Sequence, residues 1–113
     1  MKRVTAIVQA DKVKTVTDAL EGKVGGFIIL EGKGRGSGAR PTVRMGRGTG
    51  IMKAEYNQVA SIITIVDDAQ LNAAIDAISG SVYTGTAGDG IIIVSSVDDV
   101  INIASKKQGA GAL

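Results

Sequence analysis

Residues 59–94 read VASIITIVDDAQLNAAIDAISGSVYTGTAGDGIIIV and contain four successive parts. The apolar run Val59–Val66 predicts a strand. The acidic pair Asp67-Asp68 suits the positive N-terminal end of a helix, so a helix is expected to begin there. A glycine-rich turn then leads into Ile91–Val94, which predicts a second strand. This stretch is therefore a β-α-β unit.

The helix within that unit has a clear apolar face. Its stripe follows helical spacing and consists of Leu71, Ala74, Ile75 and Ile78. Gly80 follows the stripe and is expected to end the helix.

The N-terminal part of the chain repeats the same pattern. Lys2–Gln9 alternates and predicts a strand that places Val4, Ala6 and Val8 on one side. Asp11 opens a helix, and Phe27–Glu31 predicts the next strand. The apolar stripe of that helix consists of Val13, Val16, Ala19 and Leu20. Residues 6–13 align weakly with residues 64–71, so the chain contains two β-α-β halves. Two such halves predict an α+β, ferredoxin-like βαββαβ fold with a long loop between the second and third strands.

Length and composition restrict the function classes. With 113 residues, the chain is a single domain spanning 1–113. It has no His and no Cys, which excludes metal sites and nucleophiles of those types. The adjacent pairs Asp67-Asp68 and Asp98-Asp99 suit helix starts better than acid–base catalysis. We expect no enzyme activity, no catalytic or metal site, no membrane insertion and a cytoplasmic location.

The loop over residues 32–54 is strongly basic. It carries six of the 13 cations, none of the 11 acids, and seven glycines. Loops of this length are usually functional or disordered, and the glycines predict flexibility. The residues expected to meet a partner are Arg35, Arg40, Arg44, Met45, Arg47 and Ile51. A protein partner is favoured over nucleic acid because no aromatic residue is interleaved for base stacking.

The C-terminal part has weaker patterns. Residues 97–105 predict a short added helix, and residues 105–113 predict a loose tail.

Whole-chain features resemble those of the PII signal-transduction (nitrogen regulatory) family. They are the Met1–Val8 opening, the Gly34-x-Gly36 motif, the Thr84-Gly-x-x-Gly-Asp-Gly90 turn and the closing Gly109–Leu113 segment. The resemblance implies a homotrimer that binds an adenine nucleotide (ADP, AMP or ATP) in clefts between subunits. The long loop, called the T-loop in that family, then acts on a membrane transporter or a metabolic enzyme. The implied ligand-binding residues are Ile7, Ile28, Gly34, Gly36, Thr64, Thr84, Gly85, Gly88, Asp89 and Gly90.

Several positions depart from the family pattern. Ile91 stands where the family has a lysine, and Asn102 and Ala104 stand where it has phosphate-binding arginines. Ser37-Gly38 replaces Arg-Gln, and Gln58 replaces the lysine associated with 2-oxoglutarate. Losing such charge-assisted contacts disfavours a triphosphate and favours a less charged nucleotide or another small anion. The alternative is a nucleotide-independent module that binds protein or nucleic acid through its basic loop.

Overall fold

The computed structural model describes residues 1–36, 40–44 and 51–113, with the backbone alone described for residues 43 and 44. The strands are β1 (Lys2–Gln9), β2 (Ile28–Gly34), β3 (Thr42–Arg44), β4 (Ile51–Lys53), β5 (Asn57–Val66) and β6 (Ile91–Ser96), and the α-helices are α1 (Val13–Leu20) and α2 (Leu71–Val82). Four strands form an antiparallel sheet in the order β2-β5-β1-β6. This arrangement confirms the predicted ferredoxin-like fold.

The core lies between one face of this sheet and the two helices. Alternation along the central strands places every second side chain on the helix side, as the register pairs Ala6 with Ile62 and Val4 with Thr64 show. The predicted helix stripes pack on this face. The fully buried apolar side chains are Val4, Ala6, Val8, Val16, Leu20, Ile62, Val66, Ala74 and Ile78.

The opposite face of the sheet is apolar and open in the protomer. Register places Ile63 beside Ile28 and Thr5 beside Ile93 on this side. Ile28 is 60 % exposed and Leu30 is 58 % exposed. No described element covers this face of the protomer, and contiguous exposed apolar surface of this kind marks an interaction site.

The second helix is longer than predicted. Gly80 does not end α2, which continues to Val82 and has Tyr83 at its C-terminal cap. A glycine inside a helix costs only about 1 kcal/mol, and Val82 packs against the core, so tertiary contacts outweigh the local preference. Among the described residues, neither helix has the length and apolarity needed to cross a membrane.

The C-terminal part also differs from the prediction. Residues 97–105 form no helix, because Asp99 and Asn102 use their side chains to accept local backbone N–H groups instead. Asp99 Oδ1 also accepts from the N–H of Gly109 at 3.1 Å. The tail then forms a short 3₁₀ turn, Gly109–Ala112, in which Ala112 is buried. It is therefore fixed to the domain and not loose.

The basic loop contains more regular structure than its glycines suggested. Strand β2 runs on to Gly34, and β3 pairs with β4 in a separate antiparallel hairpin. The N–H of Ala54 donates to the carbonyl of Pro41 at 2.6 Å, which ties the two arms together below the hairpin.

Candidate functional site

The glycine-rich turn between α2 and β6 is held by the side chain of Asp89. This carboxylate accepts hydrogen bonds from the N–H of Thr84 at 2.8 Å, from the N–H of Gly85 at 3.0 Å and from the Thr84 hydroxyl. These bonds, the one from the Thr84 hydroxyl above all, lower the pKa of Asp89 below its ordinary value. The negatively charged side chain of Asp89 therefore holds the end of the turn to its beginning at Thr84 and Gly85.

Glycine is required where the turn meets the sheet. Gly90 has a φ of +120°, and a Cβ placed there would lie 2.3 Å from the carbonyl oxygen of Ile7. No side chain fits so close to strand β1. Gly85 and Gly88 also have positive φ angles, of 80° and 105°.

The turn leaves part of its backbone available to a ligand. The N–H groups of Thr84, Gly85 and Thr86 are already bonded within the turn. Those of Ala87, Gly88 and Gly90 donate to no group among the described residues. Free amides in a glycine turn are suited to binding an anion, so the N–H groups of Ala87, Gly88 and Gly90 are the part of the turn that is available to a ligand.

A cavity of about 370 Å³ opens beside these amides. Its walls come from β1, the end of β2, the start of β5 and the glycine turn. The lining residues are Ile7, Val8, Gln9, Gly34, Arg35, Gly36, Asn57, Val59, Gly88, Gly90 and Ile91. Its size is that of a small-molecule site.

Arg35 connects this cavity to the basic loop. It lines the cavity, and its Nη1 lies 3.2 Å from Oε1 of Glu55. Arg35 directly follows β2 and Glu55 precedes β5, so the pair joins the two arms of the loop at its base. Both side chains are exposed, which makes the ion pair weak and easily exchanged.

A second cavity, of about 460 Å³, lies on the other side of the turn, against the end of α2. Gly85, Asp89, Gly90 and Ile91 line it, together with the exposed ring of Tyr83. The turn therefore separates two cavities that share Val8, Gly90 and Ile91.

The structure brings most of the predicted ligand residues together. The first cavity is lined by Ile7, Gly34, Gly36, Gly88 and Gly90, and the second by Gly85, Asp89 and Gly90. Thr84 lines neither cavity but bonds to Asp89.

Two further predicted ligand residues, Thr64 and Ile28, also lie outside these cavities. Thr64 is 3 % exposed on the helix side of the sheet, where its hydroxyl donates to the carbonyl of Gly26 at 2.6 Å. Ile28 lies on the open face of the sheet. Within one protomer, neither residue reaches the turn.

The predicted partner residues are spread along the loop. Arg35 lines the first cavity, Arg40 is half-buried ahead of the hairpin, and Ile51 is 67 % exposed in β4. Arg44 ends β3. Met45 and Arg47 lie outside the described residues, as do Ser37 and Gly38.

Asn102, one of the departures from the resemblance, has a structural role. Its Nδ2 donates to the carbonyl of Ala112 at 3.2 Å, while its Oδ1 accepts from the N–H groups of Ala104 and Ser105, both at 3.0 Å. Its amide thus holds the C-terminal turn. Ile91 adds an apolar side chain at the rim of both cavities.

Sequence reasoning missed four lining residues of the first cavity: Val8, Gln9, Asn57 and Val59. Asn57 is only 7 % exposed although it is polar. The available signal in the sequence was the amide residue Asn57 at the start of the otherwise largely apolar strand β5.

The chain is thus a ferredoxin-like domain with a glycine turn beside a cavity and a long basic loop whose base adjoins that cavity. Residues 1–107 match the model of the family described as Nitrogen regulatory protein P-II. The chain is 32 % identical to Nitrogen regulatory protein P-II 1 of Methanothermobacter thermautotrophicus, covering 100 % of this chain and 97 % of that one. It is 31 % identical to Nitrogen regulatory protein P-II of Azospirillum brasilense and 32 % identical to that of Rhizobium meliloti, with both chains fully covered in each case. The chain belongs to the nitrogen regulatory protein P-II family.

Proposed function

We propose that this chain is a signalling protein that senses a small ligand and regulates a target through its basic loop. The ligand is an adenine nucleotide or another small anion, bound between subunits of a cytoplasmic homotrimer. The target is a membrane transporter or a metabolic enzyme. The protein acts by binding and does no chemistry.

The observation that carries this proposal is the double role of Arg35. Its guanidinium lines the ligand cavity and also pairs with Glu55 on the far arm of the loop. An anion in the cavity competes with Glu55 for Arg35. Binding would then weaken the link between the loop arms and change the conformations available to the loop.

The open sheet face supports assembly. It exposes Ile28, Leu30 and Ile93, and burying such a surface is favourable by about 25 cal/mol per Å². An assembly through this face would place Ile28 against a neighbouring subunit, as a cleft between subunits requires.

A thermal-shift and calorimetric screen tests the proposal. The probes are AMP, ADP, ATP, cyclic AMP, 2-oxoglutarate and bicarbonate, each with and without Mg²⁺. We expect at least one to raise the unfolding temperature of the wild type, and expect Gly88→Leu to abolish that shift. A flat response to every probe would reject ligand sensing and leave a nucleotide-independent binding module, which would bind a protein, or bind nucleic acid with steep salt dependence.

A further inference from the structure

The first cavity is lined by a largely buried residue, Asn57, whose side-chain amide has no hydrogen-bond partner among the described residues. Asn57 begins β5 opposite Gly34, lines the cavity and is 7 % exposed. Its side chain makes no hydrogen bond within the described ranges, whereas Asn102 uses both ends of its amide. Among those ranges, no side-chain nitrogen or oxygen that is shut off from solvent lacks a partner. Any atom of the Asn57 amide without a partner is therefore reachable by solvent, and because Asn57 lines the cavity, a ligand there can satisfy it.

The described residues that line the cavity include few charged side chains. Arg35 is the only ionisable side chain among the described residues that line it. One of its nitrogens already bonds to Glu55. The amide of Gln9 is also engaged, donating to the carbonyl of Gly88 at 3.2 Å. A single guanidinium, with the Asn57 amide and the free N–H groups of Gly88 and Gly90 as neutral donors, matches one oxyanion group.

The remaining wall disfavours further charge. Ile7, Val8, Val59 and Ile91 line the cavity beside these polar groups. Within the described part of one protomer, a second phosphate or carboxylate held against these side chains would lose water without gaining a cation, and such desolvation is costly. An apolar or planar ligand body, in contrast, would gain from the same contacts.

We propose that this cavity selects a ligand with a single oxyanion group, which Arg35 binds by charge and the Asn57 amide by hydrogen bonding. This inference rests on the proposed function, since it names the ligand class of the same site. The oxyanion is either a phosphate monoester or a monocarboxylate.

Calorimetry with two matched pairs of probes tests whether the cavity prefers a ligand with one oxyanion group. AMP is compared with ATP, and pyruvate with 2-oxoglutarate, so that each pair differs in the number of anionic groups. We expect the first member of at least one pair to bind ten-fold or more tightly than the second. The pair that shows this preference identifies the oxyanion as a phosphate or a carboxylate. Equal or tighter binding of ATP and 2-oxoglutarate would overturn the inference.

Substitutions test the named residues. Asn57→Ala should weaken the preferred probe about ten-fold, the usual effect of losing one hydrogen bond to a charged group. Asn57→Asp should weaken it further, because it adds a negative charge. Asn72→Ala is the matched control, since Asn72 is also an asparagine, is exposed on α2 and lies outside the cavity lining. It should leave affinity within two-fold.

The exposed Arg35 provides a second variant if Asn57 proves necessary for folding. Arg35→Gln should also weaken the preferred probe about ten-fold. Unchanged affinity in folded Asn57→Ala, or in Arg35→Gln, would refute the assignment. If ATP or 2-oxoglutarate binds and these variants have no effect, the sensor function stands and only the selection fails. If no probe binds here or in the screen, both fail.

Discussion

The guanidinium of Arg35 lies 3.2 Å from the carboxylate of Glu55. This ion pair links the residue that follows β2 to a residue just before β5, at the base of the long loop. Because Arg35 also lines the ligand cavity, one side chain is shared by the site and the loop. In the proposed function, this shared residue couples the cavity to the loop.

Breaking the pair should loosen the loop without destabilising the domain. In Arg35→Gln, we expect the free energy of unfolding to change by less than about 0.5 kcal/mol, because exposed ion pairs contribute little. The amide of Ala54, bonded to Pro41 at 2.6 Å, should exchange its hydrogen faster. Lys33→Gln is the control, since Lys33 is exposed and has no ion pair among the described residues. Equal exchange in the two variants would argue against the tether.

Two glycine substitutions should have opposite effects on stability. Gly90→Ala forces a Cβ to 2.3 Å from the Ile7 carbonyl oxygen at a φ of +120°, so we expect a loss of at least about 1–3 kcal/mol. Gly80→Ala adds a methyl group inside α2 with no atom within 4 Å, so we expect a gain of about 0.5–1 kcal/mol. Urea unfolding measures both. Comparable stability of the two variants would mean that the turn does not approach β1 this closely.

Asp89 should make the stability of the protein depend on pH. Its pKa is lowered in the folded state from an ordinary value of 3.8. Its contribution is therefore complete above that value and is lost as the pH falls through the lower folded pKa. We expect Asp89→Asn to be less stable than wild type at pH 7, and the difference to shrink toward pH 2.

Asp76→Asn is the control for this pH dependence. Asp76 is exposed on α2 and makes no hydrogen bond or ion pair among the described side chains. Its substitution should leave stability within about 0.5 kcal/mol at every pH, as is usual for such surface positions. A pH-independent difference between wild type and Asp89→Asn would contradict the role of the carboxylate.

The open sheet face should hold an assembly together. In sedimentation velocity we expect a particle with three times the 11.5 kDa mass of the protomer. Leu30→Asp places a charge on the apolar face and should shift the population toward the monomer. Asn72→Asp, on the exposed surface of α2, should not. A monomeric wild type, or a Leu30→Asp variant that still assembles, would rule out this face as the interface.

The sequence predicted the framework well because its signals were periodic. Alternation in Lys2–Gln9 and the stripes containing Leu20 and Ile78 follow directly from burial against one core. Gly80 was misread because a local preference of about 1 kcal/mol is smaller than the packing of the helix end. The paired triplets Thr42–Arg44 and Ile51–Lys53 were missed because glycines surround them and their pairing is not local.

The site was predicted only in part for a related reason. The glycine turn has a recognisable local pattern, so Gly88 and Gly90 were found. Asn57 and Gln9 come from separate strands and reach the cavity only through the sheet register. The position of Arg35, beside both Glu55 and the cavity, depends on distances that residue types do not encode.

Hydrogen exchange at the Ala54 amide, measured with and without saturating AMP, tests the central claim most directly. If a ligand in the cavity draws Arg35 from Glu55, AMP should speed exchange at Ala54 in the wild type and have no such effect in Arg35→Gln. If AMP binds and exchange at Ala54 stays the same, the cavity and the loop are not coupled.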